Sequence, residues 1–252
     1  MILLDSGTYR NDPATHLHNF LTHDGRPPAD LRAAARAELA AYDTVTLRDV
    51  AATAVRPDGD GFAVDLADGG SVLARRLVLA TGLRDTLPTT PGVADLFGTV
   101  AAHCPFCHGH EFAGKHVGLL DDETAALLDR AGIAVRAEPV KGFCRSAVGA
   151  RATFASGPTE ELGGLFVTTA FAQAAPFAEQ LGLTMLPSGC VEVDVFQRTS
   201  LPGVYAAGDL AHQAALPMPM ASVLTSAAAG LVAASVVVQD LLVLDDVLRS
   251  AV

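Results

Sequence analysis

Gly203-Val204-Tyr205-Ala206-Ala207-Gly208-Asp209 is a short uncharged run, bounded by glycines, that ends on a carboxylate. The pattern predicts a buried strand, because no polar residue interrupts it to face solvent. A carboxylate closing such a strand needs a partner, since an unpaired buried charge is costly. The same arrangement opens the chain, where Ile2–Leu4 runs into Asp5-Ser6-Gly7. We expect the strands ending in Asp5 and Asp209 to lie parallel in one sheet.

An acidic residue at a strand end, before a glycine turn, is where dinucleotide-binding sheets hold a ribose hydroxyl. Asp before Gly also makes ordinary turns. Between these two ends, Val45 to Ala80 alternates with period two, and PDGDG and ADGG supply turns. This predicts an antiparallel meander. It finishes in Leu77-Val78-Leu79-Ala80-Thr81-Gly82, an apolar strand followed by a small-residue turn that a ligand can approach. His16 to Gly25 (HLHNFLTHDG) reads as a polar, aromatic loop, and Pro27-Pro28 open a helix over Ala29–Ala41.

Further on, the pattern predicts a strand at His116–Leu120, a helix capped by Asp121 or Asp122 and running through Arg130 to its close at Gly132, and a strand at Ile133–Val135. Strands at Arg151–Ala155 and Leu165–Thr168, a helix at Ala174–Leu181, a strand at Val191–Val195 and a helix from Met218 complete the chain. Strand, meander, second βα unit and return give a mixed α/β chain of two lobes, one inserted in the other. The outer lobe takes residues 1–95 and 188–252, and the inserted lobe takes 96–187.

Half of the 252 residues are hydrophobic, which is enough for real cores and excludes global disorder. A net charge of −11 argues against a nucleic-acid backbone as partner. No signal peptide opens the sequence, and four cysteines with one close pair do not make a secreted disulfide scaffold. A cytoplasmic protein is expected. Met218 to Val238 is long enough to span a bilayer. Its Ala, Ser and Thr content, Pro219, and the lack of flanking Lys or Arg point instead to a buried helix packed on a sheet.

The close pair lies in His103-Cys104-Pro105-Phe106-Cys107-His108-Gly109-His110. One helical turn brings two cysteines at this spacing within bonding reach. Pro105 suits the first turn, and a helix N-terminus favours a thiolate. Such a pair cycles between dithiol and disulfide. Three flanking histidines keep zinc as the alternative, although Cys144 and Cys190 offer no second ligand pair.

Three signatures now stand in order: Val78-Leu79-Ala80-Thr81-Gly82, Cys104-Pro105-Phe106-Cys107, and Thr199 to Asp209 (TSLPGVYAAGD). Together they resemble the thioredoxin reductase-like flavoproteins, and the CPFCHG variant looks most like their dithiol oxidase branch. The resemblance implies two Rossmann-like three-layer lobes, an FAD lobe interrupted by a pyridine-nucleotide lobe that carries CxxC. It implies that Cys107 faces the flavin, that Cys104 exchanges with the outside thiol, and that His108 is the acid/base. It places Asp5 on the adenosine ribose, Val50 by the adenine, and Asn19 with Thr81-Gly82 along the cofactor. Gly208-Asp209 would bind the ribityl chain, and Pro219-Met220-Ala221 would bring a helix start to the ring.

Against that family pattern both lobes are truncated. No GxGxxG occurs among the 23 glycines, and the sequence opens at what corresponds to the second strand of the FAD lobe. In the inserted lobe, His116-Val117-Gly118-Leu119-Leu120 runs directly into Asp121-Asp122. Glycine loops at helix starts hold the pyrophosphates of both dinucleotides. The expectation is therefore an FAD-dependent dithiol oxidase with no NADPH site. Its substrate would be a dithiol or disulfide, either a small molecule or a thioredoxin-like protein, and it would act off the membrane, with a homodimer as one assembly. The alternatives are an NADPH-dependent thioredoxin-disulfide reductase with a rebuilt site, and a non-catalytic remnant.

Overall fold

The computed structural model describes residues 1–121, 130 and 133–250, with side chains to 243. The chain forms two units. The first comprises Met1–Arg10, Ala35–Arg84 and Phe171–Val252, and the second Asn11–Ala34 and Asp85–Ala170. Residues 11–34, 85–95 and 171–187 thus fall on the other side of the boundaries expected from the sequence. One division lies inside the helix Pro28–Leu39.

In the first unit Ile2–Leu4 pairs in parallel with Thr46–Arg48, and Asp5 N–H extends the ladder to Arg48 O at 3.0 Å. The meander is present as Ala52–Asp58, Gly61–Leu66 and Ser71–Ala74, all antiparallel. Its first hairpin turns at Gly59, whose φ of +55° suits a residue without Cβ. Leu77–Leu79 pairs in parallel with Val204–Ala206, and Val191–Glu192 with Ala211–His212. Val55, Phe62, Val64, Leu79, Leu183, Val191, Val204 and Leu210 form the shared core. Fully burying each large apolar side chain contributes roughly 1.5–3 kcal/mol.

The strands ending in Asp5 and Asp209 therefore belong to one unit but to two separate parallel pairs, which corrects the expected single sheet. Among the described residues no strand pairs with both Ile2–Leu4 and Leu77–Leu79, so nothing carries the ladder across.

The terminal helix Val223–Ser250 starts at Ser222, whose Oγ accepts the Thr225 N–H while Thr225 Oγ1 accepts the Ser222 N–H, a reciprocal cap. Only one stripe is covered: Ala229, Val232, Ala233, Val236 and Val237 pack on Tyr205 and Ala207. Leu224, Leu231, Val238 and Leu242 are exposed, so the helix is not the buried one the composition suggested. Val223–Val243 has the length and apolar content of a membrane-crossing helix. Asp240, facing Tyr205, ties it down. Tyr205 Oη donates to Asp240, and Arg198 binds the same carboxylate through Nε and Nη2 at 3.1 and 2.8 Å.

The second unit centres on Gly164–Val167, flanked in parallel by Ala101–Ala102 and Val117–Leu120. Val140–Arg145, Ala150–Phe154 and Glu160–Leu162 make an antiparallel sheet. Val93, Leu96, Ala101, Phe143, Ala152, Leu162 and Leu165 fill the core. Ile133–Val135 is not a strand and has no ladder partner among the described residues. Most of the expected helix Asp121–Arg130 lies outside the described residues. Phe177–Gln180 is one turn rather than the longer helix expected, because Pro176 is its N-cap and Ala174 N–H is instead bonded to Gly82 O.

Candidate dithiol site and cofactor residues

The buried strand Ala101–Ala102 delivers the chain to the dithiol turn. Cys104 is the N-cap, Pro105 takes the first helical position, and the helix ends at His108. The N–H groups of Cys107 and His108 both donate to Cys104 O at 3.1 Å, which closes the turn. A 3-10 turn, Gly109–Phe112, follows at once. The helix is thus a single turn, and the macrodipole expected to favour a thiolate is correspondingly short. Cys104 and Cys107 are half-buried, whereas the Phe106 ring between them is 85% exposed.

His108 is half-buried, and its Nδ1 is enclosed without a hydrogen-bond partner among the described residues. Burial pushes its pKa below the ordinary imidazole value; Glu111 opposes that shift and His18 adds to it. Burial therefore favours the neutral ring over the charged one. Among the described residues no three His, Cys, Asp or Glu side chains are placed to hold a metal ion.

Residues 16–26 close on themselves, with Leu17 N–H donating to Arg26 O and Gly25 N–H to Leu17 O. Asn19 Nδ2 donates to Phe106 O at 2.6 Å, so this expected cofactor residue is placed on the dithiol turn. His18 stands between two carboxylates, Asp24 and Glu111, each 3.3 Å from a different ring nitrogen. Sequence reading took HLHNFLTHDG for a loop and missed this contact. The available signal was three His and an Asp within nine residues, together with a second His-rich stretch ending in Glu111.

In the first unit Asp209 closes its strand as expected and has its partner. Arg10 Nη1 donates to Oδ2 at 2.8 Å, and Ser226 Oγ to Oδ1 at 3.3 Å. Nothing in the sequence flagged Arg10. Gly208 has φ +86° and Gly82 φ +69°, conformations that spare a Cβ-free residue strain. Met220 lines a cleft of about 310 Å³ with Gly208, Gln197, His212, Thr225 and Ser226. Pro219 and Ala221 flank Met220 ahead of the helix cap.

Asp5 receives Gly7 N–H at 2.9 Å, Tyr9 Oη at 2.7 Å and Arg36 Nη1 at 2.8 Å. Burial raises its pKa, but these three donors outweigh that and leave it below the usual carboxylate range. Val50 packs on the core just past Arg36's other partner, Asp49. Thr81 precedes Gly82 at the end of Leu77–Leu79. The structure thus groups Cys104, Cys107, His108 and Asn19 in one unit, and Asp5, Val50, Thr81, Gly82, Gly208, Asp209 and Pro219 to Ala221 in the other.

Residues 119–230 match the family model of pyridine nucleotide-disulphide oxidoreductases. Thioredoxin reductase tcpT of Claviceps purpurea (strain 20.1) is 31% identical over 252 residues, covering 82% of this chain and 78% of that protein. The chain belongs to the thioredoxin reductase-like pyridine nucleotide-disulphide oxidoreductases. Thioredoxin reductase aclD of Aspergillus oryzae is 44% identical over 123 residues, which are 47% of this chain and 39% of the relative. The match to a thioredoxin reductase of Arthroderma benhamiae covers 31% of that protein, so this chain spans well under half the length of these two relatives. An oxidoreductase from Agrobacterium tumefaciens superposes with a TM-score of 0.84 at 26% identity, over 96% of this chain and 90% of that one.

Family membership implies FAD, and the residues fit one end of it. Asp209 keeps lone pairs beyond those that Arg10 and Ser226 use, and the Cβ position of Gly82 faces open space. These suit the ribityl chain and an approach along the backbone. For the pyrophosphate no GxGxxG loop occurs in the 252 residues, and Arg10 is a cation beside Asp209.

Proposed function

We propose that this protein is an FAD-dependent thiol–disulfide oxidoreductase working as a dithiol oxidase. The observation that carries it is the Cys104–Cys107 turn with a neutral, half-buried His108 next to the second cysteine. A substrate thiolate attacks Cys104 of the oxidised pair, the Cys104–Cys107 bond breaks, and Cys107 leaves as a thiolate. The second substrate thiol then attacks the mixed disulfide and releases Cys104, closing the substrate disulfide. Of the two substrate protons, Cys104 keeps one and His108 takes the other. FAD held beside Cys107 would supply two-electron acceptor chemistry for reoxidising the Cys104–Cys107 dithiol, with molecular oxygen as the final oxidant and hydrogen peroxide as its product.

Asp209, the Thr81-Gly82 turn and the Pro219-Met220-Ala221 approach to the helix would hold the ribityl and ring portions, and Asp5 with Val50 the adenosine. The experiment is oxygen uptake by the FAD-loaded protein with a small dithiol, set against NADPH consumption with a disulfide. Dithiol-dependent peroxide without NADPH use supports the proposal.

The second reading, an NADPH-dependent disulfide reductase, is favoured by the names of the relatives, which are thioredoxin reductases. NADPH oxidation coupled to disulfide reduction would select it. An inert protein in both assays would leave a non-catalytic module.

A further inference from the structure

Gln197 is 5% exposed, yet its carboxamide makes no hydrogen bond among the described residues. Its backbone, by contrast, is fully engaged: the N–H donates to Asp194 O at 3.0 Å and the carbonyl accepts the Ala206 N–H at 3.1 Å. These bonds hold it at φ +62°, a left-handed position that glycine occupies at less cost. A buried carboxamide without a partner costs free energy. This one is not sealed in, because Gln197 is a wall of the 310 Å³ cleft in the first unit. Its donors and acceptor are reached from there. Most other polar groups of the cleft are taken. His212 has Ser188 Oγ 2.9 Å from Nδ1 and donates from Nε2 to Leu216 O at 3.1 Å. Thr225 Oγ1 serves the helix cap, and Ser226 Oγ donates to Asp209. Val193, Val195, Met220 and Val232 supply apolar walls, and half-buried Gln213 adds a second carboxamide. Among the described residues no Asp, Glu, Lys or Arg lines the cleft.

We propose that this cleft binds a small, uncharged, flat ring compound by its lactam or imide edge, which Gln197 reads. A carboxamide presents a donor and an acceptor side by side, whichever way it is turned. A lactam or imide presents the complementary N–H and C=O in one plane, so two hydrogen bonds form together. The apolar walls cover the faces of such a ring, and with no counter-charge on them a charged ligand is disfavoured. The volume lies at the small end of the roughly 300–1,000 Å³ over which ligand pockets run. Two sources carry this chemistry: the flavin ring, whose pyrimidine edge is an imide, and a separate ring compound. The first source rests on the FAD reading, with which the cleft shares Gly208 and Met220. The site itself does not, since Gln197, Val193 and Val195 have no part in that reading.

Lumiflavin, which carries the imide edge without ribityl or adenosine, is the probe, and N3-methyl-lumiflavin, with that edge blocked, is its control. Fluorescence anisotropy of each ring, titrated with the whole protein, reads binding without turnover. Wild type should bind lumiflavin saturably and the methylated ring about fivefold or more weakly, the worth of one hydrogen bond whose buried partner is left unpaired. Gln197→Met keeps the length and the left-handed strain but loses the hydrogen bonds. It should bind both rings equally weakly and resist urea at least as well as wild type, because an apolar group replaces a partnerless buried carboxamide. No saturable lumiflavin binding by wild type would overturn the proposal, as would equal wild-type affinity for the two rings. A Gln197→Met protein that binds lumiflavin like wild type would also overturn it. So would one clearly less stable, by showing that the carboxamide is already paired in the fold. Repeating the titration with excess FAD separates the sources: competition assigns the edge to the flavin's own ring, and undiminished binding to a separate compound. Failure of dithiol oxidation with lumiflavin binding intact would reject the proposed function and keep the site.

Discussion

Arg10 and Asp209 stand 199 positions apart in sequence and meet in a 2.8 Å ion pair at the end of the strand Val204–Ala206. A carboxylate that closes an apolar strand is thereby matched within the chain, and it keeps further lone pairs as acceptors. In a fluorescence titration with FAD we expect saturable quenching by the wild type. Asp209→Ala should weaken it at least tenfold, as loss of a charged acceptor worth about 1.5–3 kcal/mol requires. Arg10→Met should also weaken binding. Unchanged affinity in Asp209→Ala would remove this carboxylate from the cofactor site.

For the cysteines, oxidation of the native protein should consume two thiols, and mass mapping should find them in one Cys104–Cys107 disulfide reopened by reductant. Cys144 is exposed and should alkylate readily. Cys190 is buried, burial pushes its thiol pKa up, and Sγ lies 3.7 Å from Asp209 O, so it should react only on unfolding. Native alkylation of Cys190 at the rate of Cys144 would contradict the burial.

Because burial lowers the pKa of His108, the ring remains a proton acceptor to below the ordinary imidazole range. The acid limb of kcat/KM for dithiol oxidation should therefore have its midpoint below about pH 6.5. His108→Gln should remove that limb along with most of the rate. A limb unchanged in His108→Gln would assign the proton to another group.

Tyr205 has its pKa pushed up to about 12 by burial and by its hydrogen bond to Asp240. A phenol whose pKa is higher folded than unfolded stabilises the fold fully below the unfolded value near 10 and loses that contribution as pH rises toward 12. Urea midpoints should fall between pH 10 and 12, less steeply in Tyr205→Phe. At pH 7 that variant should cost about 1.5–3 kcal/mol, since the lost bond was to a charged acceptor in a nearly enclosed place. A variant as stable as wild type at pH 7 would show Arg198 alone satisfies Asp240.

Gly92 sits at φ +85°, and a Cβ there would come 1.8 Å from the carbonyl oxygen of Phe143, a backbone atom that cannot swing aside. Gly92→Ala should cost more than about 2 kcal/mol by combining clash with left-handed strain. Gly25→Ala, at φ +75° but facing open space, should cost only about 1 kcal/mol. Equal losses in the two, by urea denaturation, would discount the contact.

What the sequence made legible was local. Alternation and two glycine turns located the meander because register in a half-buried sheet follows period two. Cys104-Pro105 announced its turn through proline's fixed φ. Asp209 was legible as a carboxylate in need of a partner, but Arg10 as that partner was not, because no spacing rule links residues brought together by the fold. The same holds for His18, where the loop composition was visible and its carboxylate on a different element was not. The terminal helix was found by composition, yet its exposure depends on what packs against it, which hydropathy does not contain.

The first unit's core joins Val55 and Phe62 to Val204 and Leu210, whereas the second is complete once Ala170 has been made. On a ribosome, the dithiol turn and its loop therefore emerge with every segment of their unit, while Leu77–Leu79 and the core around Val55 wait for the last third of the chain. Folding during synthesis should then run from the inserted unit outward, with the strand edge of Leu77–Leu79 exposed to chaperones until Val204–Ala206 is made.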